Sequence, residues 1–474
     1  MELSLEQLKK LRVHLLGIGG IGVSALARML AHVGVPVSGC DVRGSSIIDA
    51  LESEGIPVDI GHSPEHLDRS DVVVYSTAIP DGNPEFCEAR KRGMTILHRS
   101  ELLAFMLEPY FSIGVTGTNG KGTVCTMLTW ILEQAGFDPS FYIGGLSPNL
   151  GTNARLTSGK HLVAELDESD GSLLNVRPSL GFLNNLELDH LNYYKDFEQA
   201  VSTLERFFAN LPEGAPAFFN GDDEGARQVA DRLTGLTKRF FGRSESNDYF
   251  YRPISMSDCS SVFELYRNEG DPAIAHLLGR FQLTVPGAYN VENAAGAAAV
   301  ALELGVPASA IAQAYASFKG LTNRYTMLCA GSMRLVKDYM SHPSGIRKVL
   351  ETARLGEPRR LLSVFKPYRY TMIRYHATNY AQAFSGADHV IVTDMWEGGE
   401  EPIPGVDTGW LVNQMREGGV DVKHIPEMTD VPSYLMSQLE DGDCVVFFGG
   451  NDLFDLADHL AEDLSHGTHA SDIV

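Results

Sequence analysis

Basic residues are scarce in this chain: 38 lysines and arginines stand against 61 aspartates and glutamates, a formal net charge of −23. Nucleic-acid binding needs a basic footprint that displaces counterions from phosphates, so this balance excludes broad nucleic-acid binding. It leaves anionic small ligands open, because a few oriented amides and one lysine overcome a negative surround locally. Cysteine is sparse too, with six scattered residues and no C-x-x-C pair. In a chain of this size they read as reduced thiols of a cytoplasmic protein. No long apolar run is present. The longest stretch, Leu15 to Val35, is broken by Arg28, His32 and five glycines and is no membrane span. Met1 to Arg12 reads as an amphipathic opening and not as a secretory leader. No segment is of low complexity, and the polar tail after Glu462 is expected to fray.

What the chain does have is the composition of a globular protein, 44% hydrophobic and 21% charged. Its 474 residues are too many for one core, and two to four domains are expected. Two glycine loops organise the first half. Val13 to Leu16 is a short apolar strand, followed by Gly17-Ile18-Gly19-Gly20-Ile21-Gly22 and a helical pattern from Val23 to His32. A second strand is expected over Val35 to Ser38, ending at Cys40-Asp41, and a third over 71–76. A G-x-G-x-x-G loop between strand and helix, with an acid after the second strand, binds a dinucleotide or another pyrophosphate ligand. The residues alone favour a dinucleotide with Asp41 on a ribose hydroxyl; a merely structural tight turn is the alternative.

The second loop is Gly117-Thr118-Asn119-Gly120-Lys121-Gly122-Thr123. It follows the apolar run Phe111 to Val115 and precedes a helix with Val124, Met127, Leu128, Ile131 and Leu132 on one face. Loop amides and the helix N-terminus point at an anion, and Lys121 adds a mobile positive charge. The strict G-x-x-x-x-G-K-[ST] pattern is not met, because Val115 stands at the first glycine and Gly122 at the hydroxyl. Thr123 is the nearest hydroxyl, either a magnesium ligand or a helix cap. Two further strands, His161 to Leu166 and Leu180 to Leu183, end in acid clusters, Glu165 to Asp170 and Asn185 to His190. Ligands of open α/β sheets bind at such strand ends. Beside a phosphate loop, these acids and His190 read as metal ligands more than as solvated turns. Val285-Pro286-Gly287 opens a turn before an alanine-rich helix, Asn290 to Leu304. From about Thr326 strands are expected at Arg334 to Lys337, Arg360 to Phe365, His389 to Thr393 and Cys444 to Phe448, with no glycine loop of their own.

In this order the motifs resemble the Mur ligases, ATP-dependent peptide synthases of peptidoglycan assembly. The stretches that carry the resemblance are His14 to Gly22, 117–123, Gly151 to Arg155, Glu165 to Asp170, Asn185 to His190, Val285 to Asn293, Asp338-Tyr339 with His342-Pro343, and Phe365 to Thr371. The resemblance implies three consecutive α/β domains. These are a Rossmann-like sugar-nucleotide domain over 1–108, a P-loop ATPase-like domain over 109–325, and a Rossmann-like amino-acid domain over 326–474. It implies that the first loop, Gly17, Gly19, Gly20 and Gly22 with Asp41, binds the UDP part of UDP-N-acetylmuramate and not a dinucleotide. It gives ATP to residues 117–123, with Asn293 on the adenine, Arg324 on the phosphates and Asp338 on the ribose. Thr123 and Glu165 would hold one magnesium ion and His190 a second, with Lys121, Glu165, His190 and Arg324 as the catalytic set. Tyr339, His342, Tyr368 and Arg369 would face the amino acid, L-alanine first. Another amino acid or a recycled peptide is the alternative within the family, and a nicotinamide-dependent oxidoreductase the alternative outside it. The expected protein is cytoplasmic, a monomer or homodimer.

The chain departs from the family pattern at several places. Asn119 and Gly122 replace the usual histidine and first hydroxyl of G-T-H-G-K-T-T, as in folylpolyglutamate synthase. Tyr289 and Ser341 each replace a histidine, and Lys366-Pro367-Tyr368 stands where Gln-Pro-His is usual. Lys366 reads either as a partner for an acidic substrate or as a surface lysine.

Overall fold

The computed structural model describes residues 5–269 and 275–465, so the end of the polar tail lies outside the described residues. Three successive stretches of the chain each build their own sheet. In the first, five parallel strands lie in the order Val58–Ile60, Val37–Asp41, Val13–Leu16, Val72–Tyr75, Thr95–His98. The helix Ile21–His32 leaves the glycine loop and buries Val23, Leu26, Met29 and Leu30. The second strand begins at Val37 rather than at Val35. Pro36 has no N–H to donate, and the Val35 N–H closes the preceding turn on Leu30 O.

The central sheet has ten strands. Phe111–Thr116 lies at its middle, between His161–Glu165 and Leu180–Leu183, both parallel to it. Helix Lys121–Gln134 packs on this sheet and against Ala288–Glu303. The alanines of the second helix from Ala294 to Ala301 are buried and carry no bulk, so the two backbones come close. Three antiparallel strands, Tyr249–Met256, Ser261–Arg267 and His276–Leu283, extend one edge. The C-terminal sheet has six strands, five of them parallel, with Thr326–Ala330 antiparallel at one edge. The molecule is therefore three consecutive α/β domains.

The domains are tied by polar contacts at strand and helix ends. Asn153, fully buried, donates to Ile21 O at 2.7 Å and accepts from Arg28 Nη1 at 2.8 Å. Arg99 of the first domain reaches Asp167 of the second at 3.0 Å. Ser344 Oγ of the third donates to Glu187 of the second at 2.6 Å, and Arg334 pairs with Asp258. Among the described residues no helix is long and apolar enough to cross a membrane, and the six cysteines are free.

Candidate active site

Helix Lys121–Gln134 starts where the loop turns, and its N-cap is Gly120 at φ 83°. That left-handed angle suits glycine, and a Cβ there would sit 2.6 Å from Asn184 Nδ2 and 2.7 Å from Asn293 Oδ1. The two asparagines are bonded to each other at 2.8 Å, so the alanine-rich helix and the strand end at Leu183 both abut the loop. Asn185 accepts from the Asn119 N–H at 2.8 Å, and the Thr118 hydroxyl donates to Glu187 O and accepts from the Glu187 N–H. The loop is held by the very segment that carries the second acid cluster.

Lys121 Nζ donates to Gly117 O at 2.7 Å and lies 2.9 Å from Glu168 Oε2. Burial alone would lower its pKa, but Glu168, Asp167 and Glu165 outweigh burial and raise it, so the ammonium stays charged. Glu168 is also 3.5 Å from His190 Nε2. Burial would lower the His190 pKa, and Glu168 with Asp189 raises it instead. Asp167 is driven up by burial and down further by Lys121, Arg99 and His190, ending at about 2. His190 sits at φ 54°, a left-handed angle that costs a non-glycine residue about 1 kcal/mol or more and recurs where function over-determines the backbone.

Asp167, Glu168 and His190 each offer a ligand atom within 4.8 Å of the others. Glu168 Oε2, near Lys121 but badly angled to it, is a buried oxygen without a hydrogen bond. An oxygen-rich set with one imidazole fits magnesium or manganese. Glu165 stands apart from that group. It accepts from the Gly144 N–H at 2.7 Å, and burial raises its pKa against the pull of Lys121. An ideal Cβ on Gly122 would lie 3.1 Å from its Oε2. Thus Glu165 faces the helix start at Gly122, whereas Glu168 faces Lys121 and His190. Spacing in sequence does not tell these two acids apart, three residues from each other on an irregular loop, and Glu168 goes unassigned when the motif is read alone. Asn184, Arg99 and Tyr142 escape notice for a simpler reason: each is one polar residue at an element end.

The first glycine loop lies in the neighbouring domain. Asp41 Oδ2 accepts from the Gly19 N–H at 3.0 Å, so this acid braces the loop as well as bordering it. Gly22 faces the Tyr142 hydroxyl and Arg99 of the cleft that leads to Glu165 and Asp167.

On the opposite side, Asp338 is buried, accepts from the Tyr325 and Met340 N–H groups at 2.8 Å each, and lies 3.9 Å from Arg324. Burial raises its pKa. Arg324 stands over the Tyr339 ring at 5.9 Å, between two left-handed residues, Asn323 and Tyr325. Tyr339 bonds Asn451. His342 caps helix Pro343–Arg354 and approaches Glu187 Oε2 at 3.2 Å. Arg369, at φ 60°, lies over Tyr368, whose ring packs 5.1 Å from Trp396. Lys366 is paired with Asp452 of the last helix.

His376, edge-on to His342 at 4.6 Å, has its pKa lowered to about 4 by burial and then by His342. The unfolded chain, at about 6.5, takes up this proton first. Stability is therefore complete above pH 6.5 and is lost as pH falls toward 4, by about 3 kcal/mol for the whole span. His376→Leu should flatten that acid slope in melting curves of the C-terminal domain between pH 4 and 7. A slope equal to the parent's would mean that His376 is not the group responsible.

The chain matches three family models in succession: Mur ligase family, catalytic domain, over residues 12–110; Mur ligase middle domain over 115–301; and Mur ligase, glutamate ligase domain, over 323–451. It is 36% identical over 459 residues to the UDP-N-acetylmuramate–L-alanine ligase of Trichlorobacter lovleyi, covering 96% of this chain and 99% of that one. It is 38% identical over 448 residues to the enzyme of the same name from Sorangium cellulosum, covering 93% and 94%. The crystal structure of UDP-N-acetylmuramate–alanine ligase from Thermotoga maritima shares the fold, with a TM-score of 0.81 at 24% identity, covering 97% of this chain and all of that one.

Proposed function

The chain belongs to the Mur ligase family, and from that premise we propose that it joins an amino acid, L-alanine first, to the lactyl carboxylate of UDP-N-acetylmuramate at the expense of ATP. One observation carries this reading. Lys121 meets Glu168, and Glu168 meets His190, at the point where Asp167 touches the first domain and Glu187 the third. A single phosphate-binding centre is thus reached from both flanking domains, as a reaction between two separately held substrates requires.

Residues 117–123 cradle the ATP phosphates, with Lys121 on the transferred group. Asn293 lies against the loop at the adenine end, Arg324 at the close of the central domain takes the phosphates, and Asp338 of the third domain takes the ribose. Gly17, Gly19, Gly20 and Gly22 with Asp41 hold the sugar nucleotide, and its lactyl arm enters past Arg99 and Tyr142. A lactyl carboxylate oxygen attacks the γ-phosphorus and ADP leaves, giving an acyl phosphate. The amine of the amino acid attacks that carbonyl, loses a proton, and inorganic phosphate leaves. Tyr339, His342, Tyr368 and Arg369 position the amino acid. Thr123, Glu165 and His190, with Asp167 and Glu168 beside them, would hold magnesium, which supplies charge neutralisation on the phosphate oxygens when bound. Domain contacts around the centre keep water from the acyl phosphate.

Phosphate release with UDP-N-acetylmuramate, ATP, magnesium and each amino acid in turn tests the reading. L-alanine should give the highest kcat/KM, and no turnover with any single amino acid would sink it. Thr123→Val tests the metal side. Its hydroxyl is one place beyond the usual one, while Gly122 leaves the position facing Glu165 bare. The variant should need more magnesium for half-maximal rate by at least the ~10-fold that losing even an outer partner of a metal ligand costs. An unchanged magnesium curve would remove Thr123 from the site.

A further inference from the structure

We propose that the first domain carries a second metal site, distinct from the phosphate centre: a buried site for a zinc-class divalent ion formed by His14, Cys40, His66 and Glu85. One atom from each of these four side chains lies within 4.8 Å of the other three. Local geometry explains why they meet. In the parallel pair, Leu16 stands opposite Cys40 and His14 opposite Ser38. Residues two apart share a face of a sheet, so His14 and Cys40 emerge on the same side. The 3-10 turn Pro64–Arg69 brings His66 over that face, and the first turn of helix Pro84–Arg92, capped by Asn83, brings Glu85.

Glu85 is completely buried and surrounded by donors. His14 Nε2 and Cys40 Sγ approach Oε2 at 2.9 and 3.3 Å. His62 Nδ1, His66 Nδ1 and the Ser63 N–H approach Oε1 at 3.1, 3.1 and 3.0 Å. Five donors thus compete for a carboxylate that offers about four lone-pair sites. A cation shared by the two imidazoles, the thiolate and the carboxylate removes the competition.

The chemistry of the set is specific. Two imidazoles, one sulfur and one carboxylate oxygen are the ligands of tetrahedral zinc, and a thiolate discriminates against magnesium. Zinc bond lengths of about 2.0–2.3 Å place tetrahedral ligand atoms about 3.3–3.6 Å apart. The Cys40 separation from Glu85, 3.3 Å, is at the lower end of that range, and those of His14 and His66, 2.9 and 3.1 Å, fall a few tenths of an ångström below it. Supporting contacts are present as well. Ser38 Oγ bonds His14 Nδ1 at 2.9 Å, which leaves Nε2 as the ligating nitrogen, and the Ser63 N–H orients the carboxylate. His62 lies 3.2 Å from Cys40 Sγ, ready to donate to the thiolate. The rings of His62 and His66 are the partly exposed members, 15% and 18%, and form the entrance. Binding displaces the Cys40 thiol proton to solvent, one per ion.

The ion would clamp two strands, a turn and a helix one residue from Asp41, whose carboxylate braces the glycine loop. Cobalt(II), added to the full-length chain freed of metal by a chelator, tests the assignment. A thiolate-to-cobalt charge-transfer band with tetrahedral d–d absorption is expected at about one ion per chain. Cobalt held by Asp167, Glu168 and His190 has no sulfur ligand and gives no such band. Cys40→Ser should abolish it, and Ser38→Ala, which keeps every ligand, should weaken zinc binding about 10–100-fold. No thiolate band in the parent chain, a band that survives Cys40→Ser, or unchanged affinity in Ser38→Ala would each overturn the proposal.

Discussion

Lys121→Ala is expected to cut phosphate release and amide formation by about a thousand-fold, the scale of losing a charge aimed at a developing anion. The side chain is poised for that task. Its Nζ is anchored on Gly117 O at 2.7 Å, within the loop it serves, and faces Glu168 at 2.9 Å. The same change strips three carboxylates, Glu165, Asp167 and Glu168, of their nearest common cation. Leaving a buried acid without its partner costs about 3–5 kcal/mol, so the variant should also melt earlier. Magnesium, taking up the same carboxylates, should restore part of the melting temperature but none of the rate. Lys121→Arg separates the two effects from the other direction. It keeps the charge and hence the stability, but a planar fork does not reach where a slim ammonium does, so the rate should remain low. Near-parental turnover in Lys121→Ala, measured by phosphate release, would remove this loop from the reaction.

Much of this arrangement is readable in the chain itself, and the exceptions have physical causes. Val13–Leu16 and Leu180–Leu183 are short, wholly buried runs that end at glycine or polar clusters, so their limits are unambiguous. The antiparallel set of Tyr249–Met256, Ser261–Arg267 and His276–Leu283 is not. Pro253 interrupts its first strand and argues against one, and the structure accommodates it at a break in register between Pro253 and Ser255. The phosphate loop is legible because glycine at φ 83° and a lysine at a helix start have few other uses. The division of labour among Glu165, Glu168 and Asp167 is not, because it depends on which way an irregular loop turns each carboxylate. Lys366 shows the same limit: a lysine in an altered motif reads equally as a partner for an acidic substrate or as a surface lysine, and only the fold gives its partner, Asp452, 86 residues away. Likewise nothing in the spacing of His14, Cys40, His66 and Glu85 joins them; two strands, a turn and a helix start have to assemble first.

The second large effect is expected at the other anion loop. Gly19→Ala should raise the KM for the sugar nucleotide about a hundred-fold, the scale of an ångström-sized misplacement of a binding group, while ATP binding stays within about three-fold. The backbone N–H of Gly19 is bonded to Asp41 Oδ2 at 3.0 Å, and a Cβ on residue 19 would lie 2.9 Å from that same oxygen and 3.2 Å from Ile48 Cδ1. The methyl group cannot coexist with the brace. Asp41 must swing away, the loop amides lose their fixed direction, and a carboxylate is released beside the pyrophosphate. The phosphate loop at 117–123 belongs to a different sheet and is held by Asn184, Asn185 and Glu187, none of which contacts residue 19. The two sites therefore fail separately. Lys121→Ala loses rate at any sugar-nucleotide concentration, whereas Gly19→Ala recovers its rate when the sugar nucleotide is raised. Were Gly19→Ala instead to weaken ATP and leave the sugar nucleotide alone, the assignment of the two loops would have to be exchanged. Equal weakening of both would mean that the first domain positions the second, not that it holds a substrate of its own.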